Sequence, residues 1–236
     1  MRSGWEHQVN NPETWVRDIP RTPFVLQAKV DLLPLRGDVK VLSMLSLLIE
    51  LQRLKRLDRT GWTLRGLPNG TESVAAHSFG VSVTAMLLVD EIKSRGVEID
   101  VERVLRMSIL HDWAETRIGD MPRTATHYFG ANTRKEAETA AFADIVAEVT
   151  TKTTLLGLHH DYEERESLEA RVVKAADIID LLVQVYALER AGARGLDEFW
   201  EVTTAADFQL TGEARAVVDE LLQQILDERR RLESTS

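Results

Sequence analysis

The sequence predicts a single all-α domain, and three features of the chain favour this fold class. Four of the six prolines lie in the first 34 residues, so the chain after residue 35 contains few helix breakers. Six later segments repeat apolar residues every three or four positions, which gives a helix one apolar face. Alternating runs typical of strands are nearly absent. We therefore expect an irregular N-terminal extension over residues 1–35 and a helical bundle over residues 36–236.

Several of the predicted helices begin at residues suited to capping. Thr71 or Ser73 precedes the second helix and Asp100 precedes the third, and their side-chain oxygens can accept from the free N–H groups of a first turn. Thr133 and Glu136 have the spacing of a capping box at the start of the fourth. The six predicted helices cover residues 38–58, 72–95, 101–117, 134–150, 166–191 and 212–232.

Composition limits the classes of function. The net charge of −9 argues against a general binder of nucleic acids or membrane surfaces, since both favour a basic surface. The chain has no cysteine, so any metal must be held mainly by His, Asp and Glu. It contains no apolar run of membrane-spanning length, and its first residues lack the apolar stretch of a signal peptide. We expect a soluble, cytoplasmic protein.

Ionisable residues occur among apolar helix positions, most densely in "ILHDWAETRIGD" (109–120). A buried charge costs several kcal/mol unless it is paired or binds a metal. His77, His111–Asp112 and Asp177 come from three predicted helices, and this donor set suits a divalent ion such as Mn, Co, Fe, Zn or Mg. Adjacent helical side chains point about 100° apart, so the His–Asp pair requires a distorted helix or converging helices to share one ion. Alternatively, His77 is a hydrogen-bonded core residue.

The order H…HD…D resembles the signature of the HD-domain metal-dependent phosphohydrolases. Four longer stretches are similar to the HD-domain 5′-deoxynucleotidases, which cleave nucleoside 5′-monophosphates. This resemblance implies an all-α HD-type bundle, in agreement with the periodicity. It also implies that His77, His111, Asp112 and Asp177 bind a metal that polarises the phosphate and activates water. The four stretches are "LKRLDRTGW" (54–62), "ESVAAHS" (72–78), "HDWAETRIGDMP" (111–122) and "VVKAAD" (172–177).

The resemblance assigns catalysis to Glu115, together with the ligand Asp112. Glu115 handles the proton of the attacking water, whereas a structural acid paired with His111 is the alternative. Asp120 contacts the sugar hydroxyl or, with Glu115, holds a second Mg ion, and its alternative role is to cap a turn after Gly119. Two further histidines lie in "LGLHHDYEERE" (156–166), where some HD proteins hold a second metal. We do not expect a metal there, because this stretch has the composition of a surface loop.

Four more residues are implied in substrate binding. Arg59 suits a phosphate because its guanidinium presents a planar fork, with Arg65 as a substitute. Trp62 shapes a pocket that excludes a ribose 2′-hydroxyl, or simply packs in the core. Lys174 binds phosphate or pairs with Asp177. Arg123 stands where many relatives have a small hydroxyl residue, which favours an extra phosphate or a different sugar.

Three functions remain open at this point. The leading one is a metal-dependent phosphatase of deoxynucleoside 5′-monophosphates. The others are hydrolysis of another nucleotide, such as a dNTP or a signalling nucleotide, and a non-catalytic module that senses a nucleotide. The resemblance also implies a homodimer, formed through the apolar stripe of residues 38–52 or 212–226.

Overall fold

Residues 39–235 are described in the computed structural model of the chain, and they form helices joined by short loops. Within this range the only β pairing is an isolated antiparallel bridge between Asp58 and Ser73, so the all-α prediction is confirmed. These residues fall within one compact unit. The predicted extension over residues 1–35 lies outside the described range.

The structure contains more helices than the six predicted, because short turns of helix separate the long ones. A 3₁₀ turn, Gln52–Lys55, follows the first helix directly. In chain order the α-helices are α1 Val39–Leu51, α2 Thr60–Thr63, α3 Val74–Ser94, α4 Val101–Leu110, α5 Glu115–Ile118, α6 Arg123–Phe129, α7 Ala131–Ile145, α8 Lys152–Glu164, α9 Leu168–Arg190, α10 Asp197–Trp200, α11 Val202–Ala205 and α12 Gly212–Thr235.

Two of the expected caps are present and one is not. The Ser73 side chain accepts a hydrogen bond from the N–H of Ala76, and that of Asp100 accepts from Arg103. The capping box predicted at Thr133 is wrong, because α7 begins at Ala131, directly after Gly130. Gly130 adopts φ 86°, a conformation that favours glycine, and so it both ends α6 and starts α7.

The stretch expected to be a surface loop is instead most of helix α8. Leu158 and Tyr162 are one helical turn apart, and both are buried in the core. His159 and Asp161 are buried beside them. The polar composition of this segment concealed its inward face. Burial lowers the pKa of His159 to about 4, with His160 and His111 adding to the shift.

The two long helices α3 and α9 pack along each other at the centre of the described unit, with α4 beside them and α12 across them. The apolar residues of α12, including Val217, Val218 and Leu222, are buried in this core. The stripe of residues 212–226 is therefore unavailable as a dimer surface. Helix α3 is long and apolar enough to cross a membrane by composition, but it supplies core residues here.

Candidate active site

Helices α3 and α9 bring the first histidine and the last aspartate of the signature together. His77 belongs to the buried stripe of α3, one turn from both Val74 and Val81. Asp177 lies in the middle of α9. His77 Nε2 lies 3.2 Å from Oδ1 of Asp177 because these two helices are packed closely.

His111 and Asp112 lie where a helix is interrupted. Helix α4 ends just before them, turns cover residues 111–114, and α5 follows. The interruption places Asp112 Oδ2 3.2 Å from His111 Nε2 and 3.7 Å from His77 Nε2. The helix distortion that the adjacent pair requires is therefore present. His111 Nδ1 lies 2.8 Å from the backbone oxygen of Ser108, a contact that orients the ring.

The inner atoms of this cluster are buried and have no hydrogen-bond partner among residues 39–235. They are Nε2 of His77, Nε2 of His111 and Oδ2 of Asp112. Ligand atoms of His77, His111 and Asp177 lie within 4.8 Å of one another, a spacing suitable for one metal ion. Buried polar atoms are normally paired, so orphaned lone pairs that converge fit a divalent cation. The donor set of nitrogen and carboxylate oxygen agrees with that assignment.

The carboxyls of Asp112 and Asp177 remain ionised despite their burial. Burial by itself raises the pKa of each carboxyl, but the groups beside it outweigh this effect. His111 and His77 bring the pKa of Asp112 far below its usual range, and Lys174 and His77 do the same for the pKa of Asp177. Tyr162 also donates a hydrogen bond to Asp177, at 3.2 Å. Both carboxyls are therefore charged at neutral pH, as a metal ligand must be.

Glu115 differs from these two aspartates. It is the first residue of α5, it is 3% exposed, and its Oε2 has no hydrogen-bond partner. Burial, followed by repulsion from Asp112 and Asp120, raises the pKa of Glu115 well above its usual value. A carboxyl with a raised pKa next to carboxylates that stay ionised is suited to proton transfer.

Arg59 and Asp120 form one wall of the site. Arg59 Nη1 lies 3.6 Å from Asp120 Oδ1 and 3.8 Å from Asp112 Oδ2. Asp120 Oδ2 also accepts a hydrogen bond of 2.9 Å from the Thr60 hydroxyl. The turn expected at Gly119 is present, with φ 78°. Thr60, the first residue of α2, therefore links Arg59 and the start of this helix to Asp120, which follows α5.

Trp62 and Lys174 each make the contact that their simpler alternative predicted. Trp62 is buried, and its Nε1 donates to Glu72 at 2.7 Å. Lys174 Nζ donates to Asp177 Oδ2 at 2.7 Å. Both residues also line the cavity described below, so these contacts do not remove them from the site. Arg123 is the first residue of α6, and Arg65 pairs with Glu198.

A cavity of about 820 Å³ opens onto the cluster and unites most of the predicted residues. Tyr162 and Arg134 are among the polar lining residues that sequence reasoning missed, because neither lies in a recognised motif. Arg134 Nε donates a hydrogen bond of 2.7 Å to Glu138. Burial by itself lowers the pKa of Arg134, but the acidic side chains of Glu138, Glu115 and Asp112 outweigh this effect and raise it. The predicted residues that line the cavity are Arg59, Trp62, His111, Asp112, Glu115, Asp120, Lys174 and Asp177.

Comparison with known proteins agrees with this geometry. The family model described as HD domain matches residues 51–210. The 5′-deoxynucleotidase HDDC2 of Danio rerio is 28% identical over 158 residues, which cover 66% of this chain and 75% of that protein. The 5′-deoxynucleotidase hdd1 of Schizosaccharomyces pombe is 29% identical over 168 residues, 68% of this chain and 80% of the relative.

Among solved structures, a conserved hypothetical protein from Pyrococcus furiosus superposes with a TM-score of 0.68 and 36% identity. The superposition covers 78% of this chain and 99% of that one. The matched family region contains all four residues of the H…HD…D order and both helices that carry its first and last members. The chain belongs to the HD domain family of metal-dependent phosphohydrolases.

Proposed function

We propose that this protein is a 5′-nucleotidase that releases phosphate from deoxynucleoside 5′-monophosphates. The observation that carries the proposal is one cavity in which metal-type ligands with buried, unpartnered atoms lie near a guanidinium and a buried glutamate whose Oε2 has no partner among the described residues. A divalent ion, a proton acceptor and a phosphate-binding arginine are the parts that hydrolysis of a phosphomonoester requires. The activity named for the two eukaryotic relatives supports the choice of substrate.

In this proposal His77, His111, Asp112 and Asp177 hold one divalent ion, of Mn, Co, Fe, Zn or Mg. When bound, such an ion lowers the pKa of a coordinated water and stabilises charge on a phosphoryl oxygen. Glu115 and Asp120 repel each other across the same cavity, which supports a second Mg ion between them. Tyr162 and Lys174 fix Asp177 by two hydrogen bonds to its Oδ2, which leaves Oδ1 toward His77.

The chain's own residues then divide the remaining work. Glu115 accepts a proton from the water whose oxygen attacks phosphorus, and the bond from phosphorus to the sugar oxygen breaks. The leaving oxygen takes up the proton that Glu115 received, so the products are a nucleoside and inorganic phosphate and Glu115 is regenerated. Arg59 binds the phosphate, and its carboxylate neighbours hold the guanidinium in place before substrate arrives.

Asp120 and Trp62 are proposed to face the sugar. Thr60 fixes Asp120 with its backbone N–H and its hydroxyl, so one carboxylate oxygen remains toward the cavity and Arg59. The indole of Trp62 is held by Glu72 and by contact with Phe199, at 4.8 Å between ring centroids. A wall held this rigidly excludes a 2′-hydroxyl by shape. Arg123 begins α6 shortly after Asp120, and it is proposed to modify the choice of sugar or phosphate.

A nucleoside triphosphate is the second candidate, because the cavity also contains Arg134, Lys135 and Arg165. Two of these cations already have acidic partners, since Arg134 pairs with Glu138 and Lys135 with Glu164. Cations that are already neutralised add little attraction for extra phosphates. The monophosphate is therefore the better match for the electrostatics of the cavity.

The test is phosphate release from a panel of nucleotides by metal-stripped protein supplied with Mn, Co, Mg or Zn. We expect metal-dependent release from dAMP, dGMP, dCMP and dTMP, with kcat/KM about 10- to 100-fold above the matching ribonucleotides. Release of pyrophosphate or triphosphate from dNTPs would replace the proposed substrate. No release from any nucleotide by metal-loaded protein would favour a nucleotide-sensing module.

We also propose a soluble, cytoplasmic homodimer that binds neither nucleic acid nor membranes. Helix α1 supports the dimer, because four of its large apolar side chains are more than half exposed: Met44, Leu45, Leu48 and Ile49. A contiguous apolar patch of this kind marks an interaction surface. Self-association through a shared face gives a closed twofold pair.

The double substitution Leu48→Glu with Ile49→Glu is expected to convert the dimer to a monomer, because a charge buried in the interface lacks a partner. Light scattering on the eluted protein measures the mass. Tyr128→Glu, at an exposed position on α6, is the control and retains the dimer mass. A wild-type protein that elutes as a monomer contradicts the proposal.

A further inference from the structure

The geometry points to Asp180 as a positioning residue that holds the His77 ring, with Gly80 providing the space that this carboxylate occupies. His77 Nδ1 lies 2.8 Å from Asp180 Oδ2. With the proton on Nδ1, the ring donates to Asp180 and directs the lone pair of Nε2 toward Asp112 and Asp177. A neutral metal-binding histidine needs that tautomer, so the inference rests on the metal site proposed above.

Because Asp180 lies on α9 together with Asp177, this one helix contacts both nitrogens of the His77 ring. Asp177 and Asp180 are three residues apart and therefore share a face of α9. The first approaches Nε2 at 3.2 Å and the second approaches Nδ1 at 2.8 Å. The imidazole lies between the two carboxylates, and rotation of the ring would break both contacts.

Gly80 gives an independent reason to treat this contact as a specific arrangement. It lies three residues after His77 in the interior of α3, where glycine weakens a helix. Its φ is not positive, so the backbone conformation does not require glycine. A Cβ atom at this position would lie 2.7 Å from Cγ of Asp180 and still closer to its Oδ1. Any larger residue therefore displaces the carboxylate that contacts His77.

A second cation site is the competing explanation, because Glu72, His77 and Asp180 also lie within ligand distance of one another. Each carboxylate in that group already has a hydrogen-bond donor. Glu72 accepts from Trp62 Nε1 at 2.7 Å, and Asp180 Oδ2 lies 2.8 Å from His77 Nδ1, where it can accept a proton carried by that nitrogen. A cation there would have to replace the proton on Nδ1. These contacts therefore favour a hydrogen-bonded support for the metal site over another ion.

The experiment measures Mn²⁺ affinity by calorimetry on the metal-stripped full chain, without any nucleotide. We expect Asp180→Ala and Gly80→Ala each to weaken binding by about 10- to 100-fold. The double variant should be no weaker than Asp180→Ala alone, because both changes remove the same contact. Asp180→Asn keeps an oxygen that can accept from Nδ1–H and should recover much of the affinity. Gly157→Ala, in α8 with open space around it, is the matched glycine control and should bind normally.

A spectroscopic measurement separates positioning from a general loss of structure. In the zinc-loaded protein, the Nδ1–H proton of His77 should resonate far downfield, and this signal should disappear in Asp180→Ala. Normal Mn²⁺ affinity in Asp180→Ala, or additive losses in the double variant, would overturn the inference. So would a wild-type stoichiometry of two Mn²⁺ that drops to one in Asp180→Ala. Since no substrate is used, the result does not depend on which nucleotide is cleaved.

Discussion

Replacing Glu115 with glutamine is expected to lower kcat for phosphate release by about 10²- to 10⁴-fold, the usual contribution of a general base. The amide keeps the shape of the side chain but cannot accept a proton from water. Within the described residues Glu115 Oε2 has no hydrogen-bond partner, so replacing this oxygen by an amide nitrogen breaks no hydrogen bond at that atom. We therefore expect thermal stability, and the affinity for the ion held by the H…HD…D residues, to stay close to those of the wild type. Steady-state kinetics and calorimetry measure the two effects separately.

Glu163→Gln is the matched control for this prediction. Glu163 lines the same cavity, and burial followed by repulsion from Glu138 raises its pKa as well. It lies on α8, away from the interrupted helix that carries Glu115. The control should retain most of its activity. Full turnover in Glu115→Gln would refute the catalytic role, and loss of metal in that variant would place Glu115 among the ligands instead.

Removing the divalent ion is expected to abolish phosphate release and to lower Tm by roughly 10 °C. An ion present at about a thousand times its Kd stabilises the folded state by about 4 kcal/mol, and a chain of this size responds with a few degrees per kcal/mol. The physical reason is the set of buried atoms on His77, His111 and Asp112 that have no hydrogen-bond partner in the described part of the chain. Chelation followed by calorimetric scanning and an activity assay tests both effects.

His77→Ala should reproduce the metal-free state permanently, so that added Mn or Co restores neither activity nor Tm. His127→Ala is the control, because His127 is exposed on α6 and contacts Tyr128 rather than the cluster. It should bind metal and be restored normally. Activity that survives exhaustive chelation would contradict the proposed role of the cluster. A Tm that does not respond to metal would show that the ion is not part of the folded state.

Local sequence determined the fold class and most of the long helices, and it supplied the candidate residues that line the cavity. Ser73 and Asp100 cap their helices because capping depends only on the next three residues. The interruption before Asp112 is one of the two arrangements that the sequence allowed, since an adjacent His–Asp pair can share an ion only near a distorted helix or where helices converge. Thr133 failed as a cap because Gly130, with its positive φ, had already started the helix.

Only the tertiary structure decided which helix faces meet. The sequence places Asp180 on the same face of α9 as Asp177, but only the packing of α3 against α9 puts it on Nδ1 of His77. The same packing explains why Gly80 is small. Tyr162 reaches Asp177 because α8 buries a face that its polar composition concealed. Helical periodicity specifies a direction around one helix axis, whereas a contact between helices also depends on their distance and crossing, which short-range spacing does not encode.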